Sequence, residues 1–175
     1  MSIREIRVEP LTRPVCRAFG DVIERDPRSC LEINNGEVLH QHDLARVDVT
    51  AEDGRPVISI FQGLRPAMLP FRLRLMERHP VSSQAFVPLD RSEFLIVVAQ
   101  RDARPATGNM RGFLARHGQG VTLHPGTWHH SLIALHAADF LVEDRSARGE
   151  VFDQDYEEES IDDEGIVVTL DTDLR

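Results

Sequence analysis

The chain has 175 residues, of which 41% are hydrophobic, and its formal net charge at pH 7 is −9. This length predicts a single domain, residues 1–175, with a sizeable core. The negative charge argues against nucleic acid and anionic membranes as partners. All 20 basic residues are arginine, which excludes Schiff-base chemistry through a lysine.

The sequence also predicts where the protein resides. No apolar run approaches the eighteen or so residues of a membrane-spanning helix. Residues 1–7 lack the apolar core of a signal peptide. Cys16 and Cys30 are the only cysteines, so a disulfide framework is absent and a reduced, cytoplasmic protein is expected.

Turn and breaker residues divide the chain into short elements. Thr12 as N-cap, Pro14 in the first turn and Gly20 at C′ predict a short N-terminal helical turn. Asn34-Asn35-Gly36 predicts a hairpin turn. The short apolar runs that follow are typical of an all-β barrel or sandwich. The predicted strands are residues 57–61, 70–79, 83–87, 94–99, 111–115, 121–124, 129–135, 140–143 and 166–170.

An acidic segment, residues 153–165, follows the predicted barrel. Eight of the twelve residues from Asp153 to Glu164 are acidic, and such like-charge blocks repel one another and stay hydrated, so we expect a solvated or mobile segment. A cation site is the less favoured alternative, because the spacing lacks the Asp-x-Asp-x-Asp-Gly pattern of a calcium loop.

The predicted strand 70–79 carries the first candidate site residues. Its large apolar residues occupy odd positions, so the odd face points to a core and the arginines lie outside. Glu77 and His79 share the odd parity and are expected on the inner face. A buried carboxylate and imidazole form either a structural ion pair or a metal or catalytic site. Gln84 could add an amide oxygen.

A second candidate stretch, residues 120–132, holds three of the eight histidines and the only tryptophan. The corner Pro125-Gly126 predicts strand, tight turn and strand. His129 and His130 are adjacent, so only one of them can face inward, and parity does not choose between them. His124 lies before the corner, either as a turn residue bonded to the backbone or as a group close to the site.

Both stretches resemble cupin motifs. Glu77-x-His79-x4-Gln84 resembles a degenerate HxH-x3-4-E motif, and Gly120-x4-Pro125-Gly126-x-x-His129 resembles the second motif, which favours His129 as the inward residue. With Glu77-Arg78-His79-Pro80 and Trp128-His129-His130, the chain is similar to the ureidoglycolate lyases, small cupins of allantoin breakdown. The resemblance covers residues 5 to 145 and leaves out the acidic segment.

That resemblance implies a cupin jelly-roll β-barrel and a homodimer that cleaves (S)-ureidoglycolate to glyoxylate and urea. It implies a divalent metal, nickel, with zinc or manganese as alternatives. We expect Glu77, His79, Gln84 and His129 as the metal-facing set, and Glu77 and His129 as catalytic groups. His124 and Trp128 are expected at the substrate site, Trp128 as part of its wall.

The expected chemistry needs no organic cofactor. A metal that binds the substrate carboxylate and hydroxyl would lower the hydroxyl pKa, a base would take its proton, and an acid would protonate the departing nitrogen. A metal-free site with Glu77 as base stays open. The sequence does not choose among Arg46, Arg111 and Arg145 as partner of the substrate carboxylate.

Two other functions remain compatible with the sequence. One is a non-catalytic cupin that binds a small carboxylate as a sensor or accessory protein. The other is a different metal-dependent cupin enzyme, an isomerase or an Fe(II) oxygenase. The pattern Glu-x-His, Gln, His disfavours the oxygenase, which prefers two histidines and one carboxylate.

Overall fold

The computed structural model describes residues 3–147 and 155–174. Within them the chain forms sixteen strands, one α-helix, α1 (Arg13–Cys16), and four short 3-10 helices. The strands are β1 (Arg4–Pro10), β2 (Gly20–Ile23), β3 (Leu31–Ile33), β4 (Val38–His40), β5 (Arg55–Gly63), β6 (Phe71–Arg72), β7 (Leu75–Arg78), β8 (Gln84–Pro88), β9 (Phe94–Ala99), β10 (Met110–Ala115), β11 (Gly120–Leu123), β12 (Trp128–His129), β13 (Ile133–Ala134), β14 (Ala138–Ser146), β15 (Glu157–Ser160) and β16 (Ile166–Thr169).

Most strands belong to two sheets. The larger sheet has the order β15-β7-β12-β9-β10-β1-β16-β6, with β13 also paired to β9, and the smaller one has the order β2-β11-β8-β14-β5. Strands β3 and β4 form a separate hairpin. This architecture confirms the prediction of an all-β, cupin-like barrel. No helix in residues 3–147 and 155–174 is long and apolar enough to cross a membrane.

Strand β9 separates two hydrophobic cores. Phe94, Ile96 and Val98 pack between the two sheets with residues of β8, β11 and β14. The alternate residues Leu95 and Val97 pack on the other face of the larger sheet, with residues of β1 and β16. Because both faces of β9 are buried, its sequence is a continuous apolar run, and each such side chain stabilises the fold by about 1.5–3 kcal/mol. We call the cluster between the two sheets the inner core and the cluster on the other face of the larger sheet the outer core.

Two predicted elements differ from the observed ones in their extent. Helix α1 begins after Thr12, with a proline in its first turn, but it ends at Cys16, not at Gly20. Gly20 instead opens β2, where an added Cβ would lie 2.2 Å from the backbone oxygen of Thr122. The glycine therefore permits close approach of β11 and does not cap the helix. Likewise, the predicted strand 129–135 is divided into β12 and β13.

The predicted strand 70–79 is divided into β6 and β7, and the division changes its parity. Leu73 and Met76 are both fully buried in the outer core, although they have opposite parity. The inward direction of Glu77 therefore does not follow from Phe71 and Leu73, as expected, but from the pairing of β7 with β12.

The described part of the acidic segment forms regular secondary structure. Its described part includes β15, which pairs with β7, and a 3-10 turn at Asp162–Glu164. Glu157 and Glu159 form ion pairs with Arg78 and Arg104, which offsets the repulsion among the carboxylates. Asp153 and Gln154 lie outside the described residues.

Candidate active site

Glu77 and His129 lie side by side because β7 and β12 are neighbours. The two residues are directly paired across the antiparallel strands, so their side chains share a face. Glu77 Oε1 lies 3.5 Å from His129 Nε2. His129 is 1% exposed, and its ring contacts Phe86 edge-on in the inner core.

Gln84 reaches the same point from the facing sheet. Its Oε1 lies 2.9 Å from His129 Nε2, and its Nε2 donates to Asp144 Oδ1 at 2.5 Å. A carboxylate only accepts when ionised, so Asp144 orients the amide with its oxygen towards His129. On the other side of the ring, His129 Nδ1 lies 2.9 Å from the Thr127 carbonyl oxygen, which also only accepts. His129 Nδ1 therefore carries a hydrogen.

His129 Nε2 consequently faces two acceptors, Gln84 Oε1 and Glu77 Oε1. Two arrangements satisfy all three atoms. Either Nε2 also carries a hydrogen, so that His129 is an imidazolium paired with Glu77, or the nitrogen and the two oxygens share a cation. Both arrangements place positive charge beside the Glu77 carboxylate.

The charge state of Glu77 follows from these neighbours. Burial opposes ionisation of Glu77, but the hydrogen bond and charge of His129, with contributions from His79 and Tyr156, outweigh it and hold the pKa of Glu77 below its usual value. Glu77 is therefore an ionised carboxylate at neutral pH, able to accept a proton.

His79 lies just beyond β7, next to this pair. Its Nδ1 lies 2.7 Å from the Asp155 backbone oxygen, so Nδ1 donates. Its Nε2 is buried and has no hydrogen-bond partner within the described residues. The rings of His79 and His129 are nearly parallel, with centroids 5.8 Å apart. His79 thus presents a ring nitrogen with no hydrogen-bond partner among the described residues close to Glu77 and His129.

Trp128 lies elsewhere, contrary to the sequence prediction. It pairs with Ala99 and packs in the outer core, where the Arg78 guanidinium lies 4.5 Å from its ring centroid. Because successive strand residues face opposite sides, Trp128 cannot share the site of His129. It is not part of the wall of that site.

The other histidines of the stretch are also outside the site. His124 Nε2 lies 3.4 Å from Asp21 Oδ2, and its side chain is 38% exposed. Its backbone N–H donates to the Phe19 oxygen, as expected for a turn residue, and it makes no hydrogen bond with Glu77, Gln84 or His129. His130 contacts the Phe71 ring edge-on, and burial lowers its pKa.

Comparison with known proteins places the chain in a family. The sequence model of the ureidoglycolate lyases matches residues 3–168. The chain is 43% identical to the ureidoglycolate lyase of Burkholderia mallei over 84% of this chain and 86% of that protein. It is 41% identical to the one from Pseudomonas paraeruginosa over 88% and 91%, and 42% identical to the one from Pseudomonas putida over 88% and 92%. The chain belongs to the ureidoglycolate lyase family.

This membership confirms the resemblance read from the sequence. Among solved structures, a 3,4-ketoisomerase from Helicobacter canadensis aligns with a TM-score of 0.45 and 15% identity, over 79% of this chain and 89% of that chain. The two sheets described above define the fold of this member of the ureidoglycolate lyase family.

The metal that the family resemblance implies can be tested against the donors. Gln84 Oε1 and Glu77 Oε1 lie 2.9 and 3.5 Å from His129 Nε2, a spacing that neighbouring ligands adopt around one ion with ligand distances of about 2.1 Å. The described residues contain no group of three His, Cys, Asp or Glu placed to hold a metal. The spacing of Glu77, Gln84 and His129 therefore fits an ion. His79 does not join Glu77 and His129 in a group of three that could hold one.

The three candidate arginines have other partners. Arg46 pairs with Asp48 and Arg111 pairs with Glu9. Arg145 donates to the backbone oxygens of Ala51 and Glu52. Within residues 3–147 and 155–174, no arginine bonds to Glu77, Gln84 or His129.

Sequence reasoning missed two residues that contact members of this candidate site. Asp144 orients Gln84, and Tyr156 lies 3.3 Å from Glu77 Oε2. Alternation along β14 could have found Asp144, because Phe140 and Val142 face the inner core and Asp144 has the same parity. No local signal distinguishes Tyr156 within the acidic segment.

Proposed function

We propose that the protein is a ureidoglycolate lyase that converts (S)-ureidoglycolate to glyoxylate and urea during allantoin breakdown. The observation that carries the proposal is the ionised Glu77 held against His129 inside the barrel. The names of the relatives specify the substrate. The same pair supplies what that reaction needs, a proton acceptor beside a proton donor.

The residues can perform the elimination without net consumption of protons. The reacting carbon of ureidoglycolate carries a carboxylate, a hydroxyl and a urea nitrogen. Glu77 accepts the hydroxyl proton, the carbonyl forms as the carbon–nitrogen bond breaks, and the N–H of His129 gives its proton to the departing nitrogen. The protonated Glu77 then returns its proton to His129, which lies 3.5 Å away. Such acid–base catalysis contributes about 10²–10⁴-fold.

As the alternative to a protonated His129, we propose that Glu77, Gln84 and His129 bind a divalent ion, nickel by family resemblance, with zinc or manganese as alternatives. His129 Nε2 is then a ligand of the ion and not the proton donor. When bound, the ion acts as a Lewis acid towards the substrate hydroxyl and carboxylate. Two features support this. The donors are the oxygen and imidazole ligands that such ions accept. The site also holds the carboxylates of Glu77 and Asp144, and within residues 3–147 and 155–174 no arginine bonds to either of them, so an anionic substrate needs a cation there.

We also propose a cytoplasmic homodimer. Cys16 and Cys30 are free thiols, as expected in a reducing compartment. Ile58 and Ile60 of the edge strand β5 are 65% and 56% exposed, which favours a second subunit on this face.

The decisive experiment measures urea and glyoxylate release from (S)-ureidoglycolate by purified protein, with the spontaneous decay as blank. We expect release above the blank, and its absence with nickel, zinc and manganese each supplied contradicts the lyase proposal. Saturable glyoxylate binding without turnover would instead identify a non-catalytic cupin. Metal analysis with activity before and after chelation tests the ion. Full activity in protein free of metal contradicts the metal proposal and leaves the acid–base route.

A further inference from the structure

Tyr156, the only tyrosine of the chain, stands at the candidate active site although it belongs to the acidic segment. Strand β15 pairs with β7 so that Glu158 lies opposite Glu77, and residues two apart on a strand share a face. Tyr156 therefore lies on the face of Glu77 and beside His79, with ring centroids 6.0 Å apart. Its hydroxyl lies 2.8 Å from Glu158 Oε2 and 3.3 Å from Glu77 Oε2.

The hydroxyl has one hydrogen and two carboxylate neighbours. A phenol donates a single hydrogen bond, and the shorter distance assigns it to Glu158. Glu77 Oε2 is then a second acceptor within reach. Rotation of the hydroxyl hydrogen can transfer the hydrogen bond from Glu158 to Glu77 without movement of the ring. The residue is 44% exposed, so packing of the ring alone does not explain its place.

The backbone next to Tyr156 is fixed. The carboxylate of Asp155 accepts hydrogen bonds from Val81 N at 2.9 Å and Ser82 Oγ at 2.6 Å. The backbone oxygen of Asp155 accepts from His79 Nδ1. These bonds hold the start of β15 against the end of β7, so the phenol is positioned by buried contacts.

We propose that Tyr156 is a further substrate-contacting residue, whose hydroxyl donates to an oxygen of the substrate bound against Glu77. The inference rests on the proposed lyase function. The two oxygens of Glu77 face different donors, His129 at Oε1 and Tyr156 at Oε2. In the proposed complex, the substrate hydroxyl binds Glu77 between His129 and Tyr156. The phenol of Tyr156 then donates to a carboxylate or ureido oxygen of the same substrate.

The test compares Tyr156→Phe, which removes only the hydroxyl, with Tyr156→Ala, which also removes the ring. Glu159→Gln on the same strand is the control, because Glu159 pairs with Arg104 away from Glu77. We expect Tyr156→Phe to lower kcat/KM on the order of 10- to 100-fold, as for loss of a hydrogen bond to a charged group. The melting temperature and the control should remain at wild-type values.

Calorimetric titration with glyoxylate and with urea separates the two possible acceptors. Weaker glyoxylate binding by Tyr156→Phe assigns the contact to the carboxylate, and weaker urea binding assigns it to the ureido group. The proposal is overturned if Tyr156→Phe has the kcat/KM and both affinities of the wild type. It is also overturned if only Tyr156→Ala shows a lower kcat/KM.

A protein without turnover would end the lyase proposal and with it the role of Tyr156 in catalysis, but the contact of Tyr156 with a bound ligand can still be tested. Ligand binding would then decide. Glyoxylate or urea should change the near-ultraviolet absorption of tyrosine in the wild type, and this change should be absent from Tyr156→Phe. Equal binding by the two proteins, or binding by neither, overturns the role of Tyr156.

Discussion

At the scale of single residues, the pairing of Glu77 with His129 carries the chemistry. Both side chains are almost removed from water, 14% and 2% exposed, so their mutual attraction is stronger than at the surface. Gln84 and the Thr127 carbonyl then hold the imidazole in one orientation. The pair is therefore prepared before the substrate arrives, which limits reorganisation during the reaction.

Glu77→Gln should abolish most of the activity while it preserves the fold. Glutamine keeps the shape and can still bond to Tyr156, but its amide cannot accept the substrate proton. We expect kcat to fall about 10²–10⁴-fold, with a circular dichroism spectrum like that of the wild type. Glu157→Gln on the neighbouring strand is the matched control, since Glu157 pairs with Arg78 outside the site. A Glu77→Gln enzyme of normal kcat would show that Glu77 is not the base.

Glu143 is a second unusual carboxyl, on the face of the smaller sheet that points away from the inner core. It is 7% exposed, and neither oxygen has a hydrogen-bond partner within the described residues. Burial, with a smaller contribution from Asp144, raises its pKa to about 7. The folded state therefore holds this proton more tightly than the unfolded state, whose glutamate has a pKa of about 4.3.

The stability of the protein should depend on pH through Glu143. The stabilisation is complete below the unfolded pKa of about 4.3 and is lost as the pH rises through about 7. Glu143→Gln keeps a neutral side chain at every pH, so we expect it to match the wild type near pH 5 and exceed it at pH 8, by about 1–3 kcal/mol. Urea unfolding at several pH values measures this. Parallel curves for the two proteins would contradict it.

At the scale of elements, β15 is the unexpected contributor to the site. It forms an outer strand of the larger sheet through its pairing with β7, and it joins the acidic segment to Glu77 and His79. Its stability depends on Asp155, which is 8% exposed and bonds to the turn after β7 through Val81 and Ser82. A buried carboxylate with several hydrogen bonds is costly to replace.

Asp155→Ala should therefore weaken both stability and activity. Loss of its side chain leaves the Val81 N–H without this partner, and we expect a loss of about 1–3 kcal/mol together with a lower kcat/KM, because β15 also supports His79. Asp163→Ala is the control in the same segment, as Asp163 is exposed. Thermal unfolding and kinetics measure the two effects. Equal behaviour of both variants would show that Asp155 does not anchor β15.

The sequence predicted elements whose pattern is local. Residues 94–99 form β9 as predicted, because six consecutive apolar residues leave few alternatives. The hairpin turn at Asn34 and Asn35 is also confirmed, with φ of 54° and 57°. β1 and β15 were missed because their charged residues hide the strand period, and only pairing with distant strands stabilises them.

The site was less predictable, for a related reason. Alternation cannot show where a strand is interrupted, so the parity of Phe71 did not extend to Glu77. The resemblance, and not alternation, placed Trp128 in the wall of the site, and alternation excludes it from that wall once His129 faces inward. Contacts such as Asp144 with Gln84 and Tyr156 with Glu77 join residues 60 and 79 positions apart, and no local pattern records them.

At the scale of the whole molecule, the smaller sheet ends in a long edge strand. Strand β5 pairs with β14 along nine residues, and within the described part of the chain no strand covers its other edge. Ile58 and Ile60 point outward from it and are more than half exposed. A long edge with apolar side chains favours association with another chain, and a second copy is the occupant that the family resemblance implies.

The protein should therefore be a homodimer, with twice the chain mass of 19.8 kDa by light scattering coupled to size exclusion. Ile58→Glu combined with Ile60→Glu should yield monomers, because charges on this face would be desolvated in the interface. Ile3→Glu is the control, since Ile3 is 76% exposed and lies just before β1 of the larger sheet, away from β5. A monomeric wild type contradicts the dimer. A double variant that stays dimeric shows that another face joins the subunits, with the exposed β3–β4 hairpin as the next surface to test.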